Sequence, residues 1–80
     1  MQEATTRSIR NAEAILKAAD LALNNVVKVS VFLTTMDDYA EMDAAYRAAM
    51  PEPFPAREAV AVKALPKGAR VEISMIASKH

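Results

Sequence analysis

Two charged side chains stand where the surrounding pattern gives them no obvious structural task. Arg57 follows Phe54-Pro55-Ala56 and opens a run of strand-forming residues. Glu72 interrupts Val71, Ile73, Met75, Ile76 and Ala77, an otherwise apolar strand. A fixed guanidinium is a planar fork that matches a carboxylate ligand. A half-buried glutamate is a candidate acid or base, able to orient or deprotonate a water. Pro51, Pro53 and Pro55 stiffen the approach to Arg57 and fix where its guanidinium points. Each residue also has a plain reading. Arg57 reads as a strand-end arginine in a surface ion pair, with Glu52 or the neighbours of Glu58, since most charged side chains are solvated. Glu72 reads as an outward-facing strand residue in water, because its face also carries Ser74 and Ile76.

Other chemistries find less support. Asp43 and Tyr46 lie three apart on a helical segment; Tyr46 suits the core with its hydroxyl at the rim, and Asp43 suits the helix surface. Asp37-Asp38 reads as a helix cap rather than a metal site. Met36, Met42, Met50 and Met75 read as core filler. There is no cysteine, and the single histidine, His80, ends the chain as a solvated tail residue. A Ser–His–Asp set and a cysteine nucleophile are therefore excluded within this sequence. No G-x-x-x-x-G-K-[ST] or G-x-G-x-x-G occurs, which argues against a phosphate-cradling loop.

The elements that must hold Arg57 and Glu72 follow from periodicity. Ile9, Ala12, Leu16, Ala19 and Leu23 recur at three and four residues and predict a helix ending near Asp20, with Thr5 or Thr6 as its cap. Asn24-Asn25 marks a turn. Residues 26–33 are β-branched and aromatic and predict a strand. Val27, Val29, Val31 and Leu33 share the face expected to meet the helices. Val26, Lys28, Ser30 and Phe32 share a mixed face suited to another subunit or a site. Thr35-Met36-Asp37-Asp38 opens a second helix reaching about Ala49, with Tyr39, Met42, Tyr46 and Ala49 along one side. Residues 57–65 and 70–78 predict two more strands, joined by the turn Pro66-Lys67-Gly68-Ala69. In the last, Val71, Ile73, Met75 and Ala77 face one way and Glu72, Ser74 and Ile76 the other. The order α-β-α-β-β implies an α+β sandwich with two helices on one sheet face. It also fits an RNA-binding KH module, but the clamping G-x-x-G loop is absent. Three strands leave open edges that a neighbouring subunit or another segment must cover.

Composition sets the frame. Eighty residues make one domain, and a chain of that size buries only about 60% of its unfolded surface. Its 52% hydrophobic content is high for that length and suggests burial against copies of itself. Ten basic and ten acidic side chains cancel, which leaves no electrostatic footprint for nucleic acid or an anionic membrane. No apolar run approaches the roughly 20 residues of a membrane helix, and the polar start has no signal-peptide pattern. A cytosolic protein is the expectation.

Four stretches in order resemble the RidA family, also called YjgF or L-PSP, the enamine/imine deaminases. They are Arg10-Asn11-Ala12-Glu13-Ala14-Ile15-Leu16, then Val26-Val27-Lys28-Val29-Ser30-Val31-Phe32-Leu33, then Asp37-Asp38-Tyr39-Ala40-Glu41-Met42 with Tyr46. The fourth is Pro55-Ala56-Arg57 with Leu65-Pro66-Lys67-Gly68-Ala69-Arg70-Val71-Glu72-Ile73. The resemblance covers the C-terminal portion of the family and leaves out its N-terminal hairpin and strand, so residues 1–80 are expected to form a single, N-terminally truncated RidA-like domain. It implies a chorismate-mutase-like α+β sandwich, assembly as a homotrimer, and sites between subunits. It implies hydrolysis of 2-aminoacrylate-like enamine and imine acids to 2-keto acids and ammonia, without a cofactor. On that pattern Arg57 holds the substrate carboxylate, Glu72 is the catalytic residue at the attacking water, and Asp43 and Ala59 line the substrate. Asp43 stands where many members have asparagine and Ala59 where some have cysteine. Asp20 replaces a glycine at the end of the first helix, and Ser74 replaces a second glutamate. Two alternatives accompany this reading: a non-catalytic, oligomeric small-ligand-binding remnant, and an RNA-cleaving or translation-inhibiting activity. Neutral charge and the lack of an aromatic platform weigh against the last.

Overall fold

The computed structural model describes residues 1–78; His80, read above as a tail residue, lies outside them. The elements are α1 (Gln2–Ala18), β1 (Val26–Leu33), α2 (Tyr39–Ala49), β2 (Ala56–Ala61) and β3 (Val71–Ala77). Short 3₁₀ turns span Leu23–Asn25, Met36–Asp38 and Pro66–Gly68. The α-β-α-β-β order therefore holds. The sheet order is β2-β1-β3, with β1 parallel to β2 and antiparallel to β3. α2 is the crossover that a parallel β1–β2 pair requires.

Both helices cover one face. α1 packs on α2 and on β3, and the core joins Ile9, Leu23, Val26, Val29, Val31, Leu33, Met42, Tyr46, Met50 and Val71. The other face carries Lys28, Ser30, Phe32, Glu58, Val60, Glu72, Ser74 and Ile76, and within one chain it meets solvent.

Local chemistry explains the boundaries. α1 ends in a Schellman motif: the Leu21 N–H donates to Leu16 O at 2.8 Å and the Asp20 N–H to Lys17 O at 3.0 Å. Asp20 takes the left-handed conformation, φ 62°, that glycine takes more easily. Thr5 and Thr6 do not cap this helix. It begins at Gln2, and Thr5 is fully buried inside it, its hydroxyl turned to the Met1 sulfur. Thr35 does act as expected, its Oγ1 accepting the Asp37 N–H at 3.2 Å.

Two strand expectations change. An irregularity in the β1–β3 register between Val26 and Lys28 puts Val26 inside and Val27 outside, reversing their expected faces. One extra residue at a bulge shifts the alternation by one. β2 ends at Ala61 rather than near Leu65, because its partner β1 ends at Leu33, which pairs with Ala61. The turn before β3 places Lys67 (φ 60°) and Gly68 (φ 69°) in succession in the left-handed region.

Asp38 also departs from a simple cap. Its buried carboxylate accepts from Arg70 Nη2 at 2.7 Å, tying the start of α2 to the start of β3. Among the described residues, no helix is long and apolar enough to cross a membrane.

Candidate carboxylate-binding site

Arg57 is the second residue of β2 and pairs with the buried Val29 of β1. Alternation along β2 therefore turns Arg57, Ala59 and Ala61 toward the helices, and Glu58 and Val60 away. α2 presents Tyr39, Asp43 and Tyr46 to Arg57 at spacings of four and three, one stripe of the helix. Arg57 Nη1 donates to Asp43 Oδ1 at 2.7 Å, and Nη2 donates to Tyr39 Oη at 2.7 Å. The guanidinium carbon lies 4.6 Å from the Tyr46 ring centroid and 5.6 Å from that of Tyr39. Such stacking suits arginine's flat, weakly hydrated cation. The surface ion pair expected for Arg57 is thus replaced by a mostly shielded one with Asp43. Glu58 instead accepts from Ser30 at 3.1 Å and pairs with Lys28 at 3.7 Å on the outer face.

Asp43 bridges two arginines. Its Oδ2 accepts from Arg47 Nε at 3.0 Å, one helical turn on. Arg57 beside it, and Arg47 next, hold its carboxyl below the usual aspartate value. Arg47 lies 5.6 Å over the Phe54 ring, and Phe54 stands 6.0 Å from the ring of Tyr46. Tyr46, Arg47, Phe54, Pro55 and Arg57 enclose a cleft of about 240 Å³. Burial pushes the Tyr46 phenol above its ordinary value, so it stays protonated at neutral pH. Its buried Oη has no hydrogen-bond partner among the described residues. The site thus offers two guanidiniums, one carboxylate and two phenols beside an apolar wall, a set that can hold a small anionic group.

The other residues singled out from sequence fall as follows. Asp43 touches Arg57 directly, which its helix-surface reading did not anticipate. Ala59 follows on the same face of β2, half-buried and paired with Val31. Glu72 is not half-buried within the chain. It pairs with Phe32 on the outer face and is exposed, because among the described residues no element covers that face. Arg57 and Glu72 sit on opposite edge strands and opposite faces. Strand spacings put their backbones roughly 14 Å apart, since Arg57 aligns with Met75 across β1, three residues beyond Glu72. One chain does not bring them together. Sequence reasoning missed Arg47 and Phe54 as site residues and saw Tyr39 as packing. The i±4 spacing of Tyr39 and Arg47 about Asp43 was the available signal.

Comparison with known proteins finds the same fold in solved structures. The structure of RidA from the Antarctic bacterium Psychrobacter is similar at a TM-score of 0.89 and 45% identity, over 91% of this chain and 59% of that one. Escherichia coli TdcF, solved with bound serine, gives 0.93 at 32% identity, over 99% of this chain and 65% of that one. The mouse 2-iminobutanoate/2-iminopropanoate deaminase is 43% identical over 94% of this chain and 56% of its own length. This chain spans less than two thirds of each. The two-helix, mixed-sheet arrangement is the chorismate-mutase-like α+β fold of these structures. A model of the family described as Endoribonuclease L-PSP matches residues 1–79, and the chain belongs to that family, the RidA/YjgF proteins.

Proposed function

We propose that the chain forms an enamine/imine deaminase site of the RidA type. The substrate class is the small 2-imino acid and its enamine tautomer. Water adds to the carbon of the protonated imine, the carbon–nitrogen bond breaks, and the nitrogen, which already bears two hydrogens, takes both water hydrogens and leaves as ammonium, giving the 2-keto acid. The imine carbon is already electrophilic, so holding it beside a positioned water supplies much of the rate. In this reading Arg57 holds the carboxylate, Ala59 leaves room beside it, and Glu72 orients the water. No cofactor takes part. The observation that carries the proposal is the Arg57 guanidinium, set by Tyr39 and Asp43 at the mouth of a small cleft, in a chain similar to an imine deaminase. A relative solved with bound serine supports a small amino- or imino-acid ligand.

The separation of Arg57 from Glu72 supports a site shared between copies. Glu72 of a neighbouring copy serves Arg57 of the first, and the assembly is a homotrimer whose copies cover the outer sheet faces, working in the cytosol. The test is 2-iminopropanoate, generated in situ from alanine by an amino-acid oxidase, with keto-acid release followed with and without the protein. An accelerated release that disappears in Arg57→Ala is the expected result. A rate equal to the uncatalysed one from folded protein would sink the deaminase reading.

One observation favours a second reading, a ligand-binding protein without turnover: both terminal nitrogens of Arg57 already have partners, and among the described residues the carboxylate paired with it is that of Asp43. Ligand binding without keto-acid release would select that reading.

A further inference from the structure

The anchor arginine carries its own carboxylate. Asp43 Oδ1 and Tyr39 Oη each take one N–H of Arg57, two of the five donors a guanidinium offers. The Arg57–Asp43 pair is shielded, with 16% and 22% of the two side chains exposed, so its charges are felt more strongly than those of a surface pair. Arg47 holds the other Asp43 oxygen but is 61% exposed, and water screens its charge. A ligand with a carboxylate alone therefore meets a cation that is already neutralised, and must settle beside a second carboxylate. Like charges sharing a site oppose each other. A ligand with a cationic nitrogen next to its carboxylate has a partner for both groups. Its carboxylate takes remaining guanidinium N–H groups, and its nitrogen donates to Asp43.

We propose that Asp43 makes this site selective for acids that carry a cationic nitrogen on the carbon beside the carboxylate, iminium or ammonium zwitterions, over simple carboxylates. The proposal rests on Arg57 holding the substrate carboxylate. It also gives the reaction a direction at the site. The protonated imine is a zwitterion and satisfies both Arg57 and Asp43. The keto acid formed from it has lost the nitrogen and leaves a bare anion next to Asp43. Hydrolysis thus converts a ligand that fits into one the site disfavours, which speeds product release. Arg47 and Arg57 keep Asp43 ionised at neutral pH, so the discrimination operates there.

The experiment compares L-alanine with propanoate, which share a carbon skeleton and differ in the ammonium group. Each is titrated into the full chain at neutral pH, with binding read from NMR chemical shifts. The variants are Asp43→Asn, which keeps an acceptor for Arg57, the shorter and neutral Asp43→Ser, and Arg57→Ala. The wild type is expected to bind alanine about tenfold more tightly than propanoate, about 1.4 kcal/mol. In both neutral variants that ratio should fall toward one, mainly because propanoate binds better. An unchanged ratio in the folded Asp43 variants overturns the selectivity role while leaving the anchor intact, since the anchor is read separately from loss of both ligands in Arg57→Ala. Wild type that binds neither ligand, or binds both equally well with Arg57→Ala, overturns the anchor and this proposal together.

Discussion

Replacing Arg57 by lysine keeps the positive charge and removes the fork, which isolates what the guanidinium's shape contributes. A lysine ammonium can hold Asp43, but it cannot also reach Tyr39 Oη in the same plane while lying flat over Tyr46. The lost hydrogen bond to a charged donor is worth about 1.5 kcal/mol, and the lost stacking about 1 kcal/mol. Some of this returns as freedom of the released, flexible ammonium side chain, which leaves a net loss of about 2 kcal/mol. For a chain of this length that corresponds to a fall in Tm of roughly 8–16 °C. The assay is thermal unfolding by far-ultraviolet circular dichroism at fixed protein concentration. In the deaminase assay the same variant should raise KM more than it lowers kcat, because a point charge attracts a carboxylate without orienting it. A Tm within about 2 °C of wild type, far below this expectation, would mean that Tyr39 and Tyr46 do not hold the guanidinium. The argument that Arg57 is aimed would then fail.

Three further outcomes follow from particular contacts. Arg70→Ala strips the partner from the buried Asp38 carboxylate and should destabilise by about 2 kcal/mol, less than for a fully buried pair because Arg70 is mostly exposed; denaturant unfolding measures it. Gly68→Ala meets no neighbour but must keep φ 69°, so it should lower stability by about 1 kcal/mol with activity unchanged; equal stability would show that the turn rearranges. The Asp43 carboxyl titrates below its ordinary value of 3.8, so its ionised form stabilises the fold above that pH, and the contribution is lost as pH falls through the lower native value. The Tm gap between wild type and Asp43→Asn should therefore be level from neutrality to mild acid and close in strong acid. A gap that closes near neutrality would contradict the Arg57 and Arg47 pairing.

Much of the architecture was legible because it rests on local periodicity. The alternation of Val71 to Ala77 gave the faces of β3, including the outward turn of Glu72, and the stripe of Tyr39, Met42 and Tyr46 gave the buried side of α2. Asp20, standing where the resemblance puts a glycine at a helix end, does take the left-handed conformation. What failed had causes that span elements. The β1–β3 irregularity that turns Val27 outward has no mark in a run of valines. The end of β2 was set by the length of β1, not by its own residues. Thr5 looked like a cap, yet the face of α1 needed a small buried residue there. The site was half-legible for the same reason. Arg57 and Asp43 could each be named, but their contact joins a strand to a helix fourteen residues earlier. The exposure of Glu72 depends on what covers the outer sheet face, which one chain's pattern does not encode.

The most direct test of a hydrolytic site shared between copies is complementation. Arg57→Ala and Glu72→Gln chains are each assayed alone for 2-iminopropanoate hydrolysis, then unfolded together, refolded as an equimolar mixture and assayed again. A shared site predicts two inactive variants and a mixture that regains part of the wild-type rate, because some interfaces join an intact Arg57 to an intact Glu72. A refolded mixture no more active than its components, with wild type treated identically and active, would contradict the account.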